Sequence, residues 1–483
     1  MGNATSGWFD SRELFIGGNW SEAADTLPLE NPSTGEEIGT IARGGAGEID
    51  AAVAAARAAL DGPWGRATAV ERGRVLVRIG QLVQERIEDL ARLEAHDVGK
   101  PLTQARNDAI ALARYMEFYG GAADKLMGET IPYLDGYTVY TLREPLGVTA
   151  HIIPWNYPMQ IIGRSVGAAL CMGNALVLKP AEEACLTALA FARLAEEAGL
   201  PAGVLNVVPG LGEEAGAALS AHPGIDHVSF TGSLSVGQAV QKAAGENVVP
   251  VTLELGGKSP QILFEDANVD AALPFLVNAG IQNAGQTCSA SSRILVQRAL
   301  FDEVAGRMAE RYGALRVGPA MSDLEVGPLI SARQKQIVEG YLRLGSDLEV
   351  LGEGRIVEDA PAGGHYVAPR LLSGATPSHV LAQEEIFGPA QVLLPFEDEE
   401  EAVAIANGTG LGLVASVWTE NGARQMRMVK RLRAGQVFVN NYGAGGGVEL
   451  PFGGVGKSGH GREKGFEALY AFSQLKTVAC LHG

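Results

Sequence analysis

GVTAHIIPWNYPMQIIGRSVGAALCMGNALVLK, residues 147–179, reads as strand, helix, strand. An apolar run from Val148 to Ile153 stops at Pro154, a helical stretch spans Pro158 to Met172, and a second apolar run covers Ala175 to Leu178. The same alternation continues outward. Strands are expected at Val204–Val208, Asp226–Phe230 and Val249–Leu253, with helices at Glu183–Gly199, Gly212–His222 and Ser233–Ala244. Strands that alternate with helices build a doubly wound parallel sheet, which takes its ligands at the carboxyl ends of the strands. No GxGxxG is present, so the alternation alone carries this assignment.

A second α/β unit starts near Gly256. Its strands are expected at Ile294–Val296, Gln391–Pro395, Ala415–Thr419 and Val437–Asn440, its helices at Leu300–Tyr312 and Ala423–Leu432. Ala444 to Gly447 (AGGG) reads as a loop, and there is no internal repeat. Before residue 147 the pattern differs. LFIGGNW (Leu14–Trp20) and NPSTGEEIGTI (Asn31–Ile41) read as short strands joined by turns. Ile49, Val53, Ala56 and Leu60 mark one face of a helix. A longer helix buries Val75, Ile79, Leu82, Val83, Ile87, Leu90 and Leu93 and stops before Pro101. Asp108–Gly120 is a third helix. Thr130–Arg143 alternates and is rich in Tyr and Thr, which predicts a hairpin around Asp135-Gly136.

The 483 residues suit two or three domains. With 46% hydrophobic residues, 63 glycines and only 19% charged residues, the chain reads as globular rather than disordered. A formal net charge of −18 argues against a nucleic-acid or anionic-membrane surface. Cys171, Cys185, Cys288 and Cys480 are far apart and the eight histidines are scattered, so neither a disulfide framework nor a metal site is expected. A reducing, cytoplasmic location follows from that cysteine usage. No apolar run approaches the ~18 residues of a membrane span. The first residues lack a signal-peptide core but match the short myristoylation pattern at Gly2 and Ser6, a match that carries little information.

The chemistry gathers at NAGQTCSASS, Asn283–Ser292, where Cys288 stands among small and hydroxylated residues. A lone cysteine is more often a buried small hydrophobe than a nucleophile. Two other stretches shift that balance. VTLELGGKSP (Val251–Pro260) ends an apolar strand with Glu254 before a glycine pair, and IIPWNYP (Ile152–Pro158) places Asn156 just past another strand. Thiol, carboxylate and amide supply nucleophile, base and oxyanion donor for chemistry at a carbonyl carbon. The plainer reading of Glu254 is a strand-edge salt bridge.

These three stretches, with FTGS (Phe230–Ser233), EEIFGP (Glu384–Pro389) and PFGG (Pro451–Gly454), resemble the NAD(P)-dependent aldehyde dehydrogenase superfamily from about Leu14 to Val478. The resemblance implies an α/β fold with two doubly wound parallel-sheet domains and a small β arm. Residues 1–122 and 145–254 would form the NAD-binding domain and 255–466 the catalytic domain. Residues 123–144 and 467–483 would form an arm that joins copies into a homodimer or homotetramer; the hairpin can also be a surface feature of one subunit. It implies oxidation of a small-molecule aldehyde, with Cys288 attacking, Asn156 and the Cys288 N–H holding the oxyanion, and Glu254 activating water on a thioester. Members that hydrolyse their thioester carry that glutamate, whereas CoA-acylating members generally lack it.

Cofactor residues implied by the resemblance are Ile153, Trp155, Lys179, Glu182, Gly232, Ser233, Leu255, Glu385 and Phe387. Lys179 and Glu182 match the adenosine-ribose pair, whose carboxylate would repel a 2′-phosphate, so NAD is expected over NADP. A helix-capping acid beside a solvated lysine is the ordinary alternative. Gly232 and Ser233, at a helix start, can face a pyrophosphate. Glu385 and Phe387 match the nicotinamide-ribose ligand and its packing partner. Tyr157, Arg164 and Phe452 are the expected substrate residues; Asn440 and Lys457 are expected to be structural. Arg164 matches an arginine that binds the substrate carboxylate in succinic-semialdehyde dehydrogenases, but some aromatic-aldehyde members also carry it. The second arginine of the semialdehyde enzymes is Gln282 here. The reading leans to a carboxylated semialdehyde, with an aromatic or medium-chain aldehyde as the alternative and an ion pair as the plain role of Arg164. Acyl transfer or ester hydrolysis at the same cysteine, and a crystallin-like structural protein that binds cofactor without turnover, are the rival functions.

Overall fold

A computed structural model describes residues 9, 11–443 and 447–483. The Gly2 and Ser6 match, and all but the last residue of the AGGG loop, lie outside the described residues. Two sheets organise the chain. The first is 8-stranded, and its parallel core places Leu205–Val207, Ala175–Lys179, Val148–Ile152, His227–Thr231 and Val251–Glu254 side by side. In chain order this is 3-2-1-4-5, and the order reverses beside Val148–Ile152, where a crevice opens at the strand carboxyl ends. The register pairs Ile152 with Lys179 and Thr231 with Glu254, so side chains far apart in sequence end at one level.

The second sheet is 7-stranded, in the order Glu349–Glu353, Arg370–Ser373, Ala390–Phe396, Arg293–Gln297, Pro260–Leu263, Val414–Trp418, Gln436–Val439. Each sheet carries its own apolar core, one centred on residues such as Leu176, Phe191 and Val228, the other on Ile294, Val392 and Trp418. Strands buried on both faces explain why these runs read as continuously apolar. The sheets are stitched where the chain passes between them. Gly459–His460 pairs antiparallel with Leu253–Glu254 of the first sheet. Ser458 donates its hydroxyl to the Gly256 carbonyl (2.7 Å), accepts the Gly412 N–H (2.9 Å), and through its carbonyl accepts the Leu255 N–H (3.1 Å).

The N-terminal strands form at Leu14–Ile16, Asn19–Ser21, Thr26–Asn31 and Glu36–Ala42, and the first helix covers Ala46–Asp61. The long helix expected up to Pro101 is two helices, Ala69–Glu85 and Ile87–Val98. The first starts on a Thr68–Glu71 capping box. Arg86 then leaves helical dihedrals (φ −117°, ψ 19°) with neither proline nor glycine to announce it. The third helix is longer than expected, Leu102–Ala122. Pro158–Met172 is helical throughout but widens into a π turn at Ile162–Val166. A π turn holds more residues than an α turn, so Arg164 does not keep the spacing of a regular helix. The hairpin forms with Thr130–Ile131 paired to Tyr137–Pro145, and Ser473–Leu481 extends it along its full length into a three-stranded arm. Among the described residues no helix is long and apolar enough to cross a membrane.

Replacing Ser458 by alanine leaves the Gly412 N–H and the Gly256 carbonyl without their partner. We expect Ser458→Ala to lower the unfolding free energy by about 1–3 kcal/mol, read from denaturant curves of unchanged slope. A midpoint equal to that of the parent protein would remove Ser458 as a stitch between the sheets.

Candidate active site

Cys288 lies in a loop whose shape is set just upstream. Asn283, Ala284 and Gly285 are all left-handed (φ 49°, 54° and 73°), which reverses the chain after the 13-residue helix Val269–Ile281. Only Gly285 adopts that conformation without strain; the run is held at Asn283 by hydrogen bonds. The Asn283 N–H donates to Gln104 Oε1 (2.9 Å) and its side-chain amide to the Asn156 carbonyl (3.0 Å). Gln286, fully buried, donates to the Asn283 carbonyl (3.0 Å) and accepts the Ile330 N–H (2.9 Å). The Tyr442 hydroxyl donates to the Ser289 carbonyl (2.5 Å). Gln104, Asn283, Gln286 and Tyr442 were not selected from the sequence. The motif flanking the cysteine contained two of them, but nothing local marks Gln104 or Tyr442.

The three expected catalytic side chains converge here. Asn156 Nδ2 donates to the Gln286 carbonyl (3.0 Å), two residues before the sulfur, and Asn156 is buried. Glu254, 1% exposed, has neither carboxylate oxygen hydrogen-bonded among the described residues. Gly257 passes directly under the Cys288 carbonyl: a Cβ there would stand 2.2 Å from that oxygen. On its other side Cys288 packs beside Ala279, Leu413, Phe438, Tyr442 and Phe452.

Burial dominates the electrostatics. It pushes the Cys288 thiol up to about 12, opposed by Arg164 and reinforced by Glu385 and Glu254. It raises Glu254 well above the usual carboxylate range, with Glu463 adding to the rise and Arg164 opposing it. Glu385 rises to about 7 from burial, although it accepts the Gly257 N–H (2.9 Å). Burial thus favours the neutral form of both the thiol and the Glu254 carboxyl.

Arg164 does not reach an open channel. Its guanidinium is ion-paired with the fully buried Glu463, lies 4.9 Å from the centre of the Phe452 ring, and reaches Thr231 Oγ1 at 3.5 Å. Of the two alternatives read from sequence, the ion pair is the one present, though it is buried rather than at the surface. Glu463, which also accepts from Ser229 Oγ (3.1 Å), escaped the sequence reading because it sits in a glycine-rich turn rather than a periodic element. Asn440 is a brace, left-handed (φ 51°) and hydrogen-bonded to both backbone groups of Thr419.

A cleft of about 470 Å3 runs away from Cys288, lined among others by Ile153, Trp155, Lys179, Glu182, Glu385 and Phe387. Lys179 and Glu182, both on its wall, form an ion pair (2.9 Å). Gly232 and Ser233 line it at the start of the helix Leu234–Glu246. Trp155 and Phe387 meet edge to face, 5.4 Å between centres. Leu255 packs on Gly237, and it is Gly256 that lines the cleft.

Fold and cleft define an α/β enzyme of the doubly wound type, with its working crevice between two parallel sheets. The aldehyde dehydrogenase family matches residues 20–478. The mitochondrial aldehyde dehydrogenase family 2 member B4 of Arabidopsis thaliana is 43% identical over 474 residues, 96% of this chain and 87% of that protein. A crystal structure of a Burkholderia cenocepacia protein assigned as an aldehyde dehydrogenase is 62% identical, with a TM-score of 0.97 over 98% of this chain and 100% of that one. Betaine aldehyde dehydrogenase from Staphylococcus aureus, solved in complex with NAD+, is 34% identical with a TM-score of 0.95, covering 98% and 95% of the two chains. The chain belongs to the aldehyde dehydrogenase family and is an oxidoreductase of aldehydes.

Because there is no room for a Cβ at residue 257, Gly257→Ala must push the Cys288 backbone aside. We expect a folded protein whose aldehyde turnover falls about 100-fold, the effect of misplacing a reacting group by about 1 Å. Near-parental turnover in Gly257→Ala would show that the approach of the two segments does not matter.

Proposed function

We propose that this enzyme oxidises an uncharged aldehyde, aromatic or of medium chain length, to its carboxylic acid, with NAD+ as the acceptor. The observation that carries the reading is that Cys288 and Asn156 line one cleft, with an unpartnered, buried Glu254 close enough to act on the sulfur. The cleft suits a dinucleotide. Lys179 and Glu182 offer an amine and a carboxylate to a ribose diol, Gly232 and Ser233 offer backbone N–H groups at a helix start, and Glu385 reaches the side nearest Cys288. NAD+, when bound, supplies the hydride acceptor. The Glu182 carboxylate works against a 2′-phosphate and so favours NAD+ over NADP+.

The remaining steps belong to the chain. The Cys288 sulfur bonds to the aldehyde carbon, its proton passing to a base. Asn156 Nδ2 has a second N–H beyond the one given to Gln286, and with the Cys288 N–H it donates to the oxyanion. Loss of hydride leaves a thioester on Cys288. Glu254, its carboxylate free of other partners, takes a proton from the attacking water; the C–S bond breaks, and the acid leaves with the thiol restored.

Substrate choice follows from charge. Glu254 and Glu385 act on the sulfur, Glu463 acts on Glu254, and Arg164 is already paired with Glu463. A substrate carboxylate would add a further negative charge where Arg164 is already taken by Glu463. An uncharged aldehyde adds none, and the apolar wall of Phe438, Tyr442 and Phe452 suits it.

Cys288→Ala should abolish turnover while NAD+ binding persists. Glu254→Gln should lower steady-state turnover by about 100- to 10,000-fold and accumulate an acyl adduct on Cys288 visible by intact mass. Both groups are raised by burial and act in their ionised forms, so kcat/KM should keep climbing above neutrality, toward the Cys288 value of about 12, rather than peak near pH 7. A profile that falls above pH 7, or full turnover in Cys288→Ala, would sink the mechanism.

The substrate class has its own test. Benzaldehyde and hexanal should exceed succinic semialdehyde in kcat/KM, and Glu463→Gln, which frees Arg164, should narrow that gap. A parental enzyme that prefers the semialdehyde, with a KM that rises in Arg164→Ala, would return the assignment to a carboxylated substrate.

A further inference from the structure

A buried ion cluster stands behind Tyr157, outside the cleft. Lys100 donates to Glu94 Oε1 (2.7 Å) and to the Asp108 carboxylate, and its Nζ lies 3.8 Å from the centre of the Tyr157 ring. Lys100 and Glu94 have no exposed surface. An ammonium has three N–H groups; two point at carboxylates, and the aromatic face is left as its remaining neighbour. A cation over a ring is attracted most strongly when it is desolvated, as here. Gln160 Nε2 donates to the second Asp108 oxygen (2.5 Å), so the cluster also grips the helix that begins after Tyr157. The helix that carries Asp108 carries Gln104 as well, the acceptor for Asn283 in the Cys288 loop. One support thus reaches both the ring and the nucleophile's loop. Burial pushes the Glu94 carboxyl well up, and the neighbouring Lys100 ammonium opposes that rise.

We infer that Lys100 is a positioning residue for the aldehyde: held by Glu94 and Asp108, its ammonium fixes the Tyr157 ring beside Cys288 and so sets how tightly the aldehyde is held. The inference rests on reading Cys288 as the nucleophile and Tyr157 as a wall of the aldehyde pocket. The helix start itself confines the residue, since Pro158 restricts the backbone of Tyr157, but the ring's rotation is left to its neighbours. Lys100 acts through Tyr157 and touches neither substrate nor cofactor.

The experiment varies the ring and the cation separately. Tyr157 is replaced by phenylalanine and then by mono-, di- and trifluorophenylalanine, which weaken the attraction stepwise while the size stays nearly constant. With benzaldehyde as substrate and NAD+ saturating, KM should rise along the series, about 2- to 30-fold overall from the usual strength of such a contact. The KM for NAD+ should stay within about 2-fold, a difference that a general loss of structure would not produce. In a Lys100→Met background the KM should start high and the series should be flat; Lys100→Arg should restore part of the slope. Where Lys100→Met fails to fold, the triple variant Lys100→Met, Glu94→Gln, Asp108→Asn removes the buried charges together and serves as the background. A flat series with Lys100 present overturns the inference, and so does an equal rise in both backgrounds, which would mean the ring acts on substrate without the cation. Cys288→Ala is run alongside. Turnover surviving there refutes the nucleophile, whereas a Cys288-dependent enzyme with a flat series refutes only the role of Lys100.

Discussion

The turn Gly256-Gly257 and the carbonyl of Cys288 meet backbone to backbone, and the site is built on that contact. A Cβ at residue 257 would stand 2.2 Å from the Cys288 oxygen, and one at 256 would stand 2.1 Å from a Glu385 oxygen. Only a residue without a side chain lets the crossover from the first sheet to the second pass under both groups. Glu254 ends the strand just before this turn, so its place relative to the sulfur is fixed by three residues of chain rather than by a long lever. Ser458 pins the same turn through hydrogen bonds to Gly256 and Leu255, and ties it to Gly412 through a third. The left-handed run at Asn283 and Ala284 is strained. Its hydrogen bonds to Gln104 and Asn156 let the surrounding structure hold it.

Such tight packing has an electrostatic consequence. The Cys288 thiol and the Glu254 carboxyl, the proposed nucleophile and base, are kept where burial opposes ionisation, and Glu254 adds to the opposition at the sulfur. Unpaired buried acids work against stability, and the nearest opposing charge, Arg164, is shared among Cys288, Glu254 and Glu463. The arrangement suits a site that holds its groups neutral at rest and ionises them during turnover. A surface cysteine beside a solvated glutamate would be easier to ionise but would lack the orientation that packing imposes.

Much of this was legible in the chain. The alternation from residue 147 located all five parallel strands of the first sheet to within two or three residues at each end, because strands buried on both faces have little freedom of composition. Six motifs identified the family. What escaped has physical reasons. Pro260–Leu263 is a short strand directly after a glycine-rich turn and merged with it. The helix Val269–Ile281 carries Pro274 inside it, a residue that argues against helix on local grounds. Arg86 breaks a helix with no proline or glycine nearby, and its position depends on packing that only the folded chain supplies. In the site, residues inside motifs could be read, whereas Gln104, Tyr442 and Glu463 act through contacts spanning more than a hundred residues.

Arg164 marks the limit of position as a guide to role. The match to a carboxylate-binding arginine rests on one residue, and a regular helix there would keep its spacing from Asn156. The π turn removed that spacing, and Glu463 supplied the carboxylate from within the chain. A substrate carboxylate could claim the guanidinium only by leaving Glu463 buried and unpaired, and breaking a buried pair in that way costs about 3–5 kcal/mol. Glu463 therefore holds the guanidinium within the chain. The charge of Arg164 is thus balanced inside the chain, and under the proposed mechanism selection among aldehydes falls to the apolar wall of Phe438, Tyr442 and Phe452.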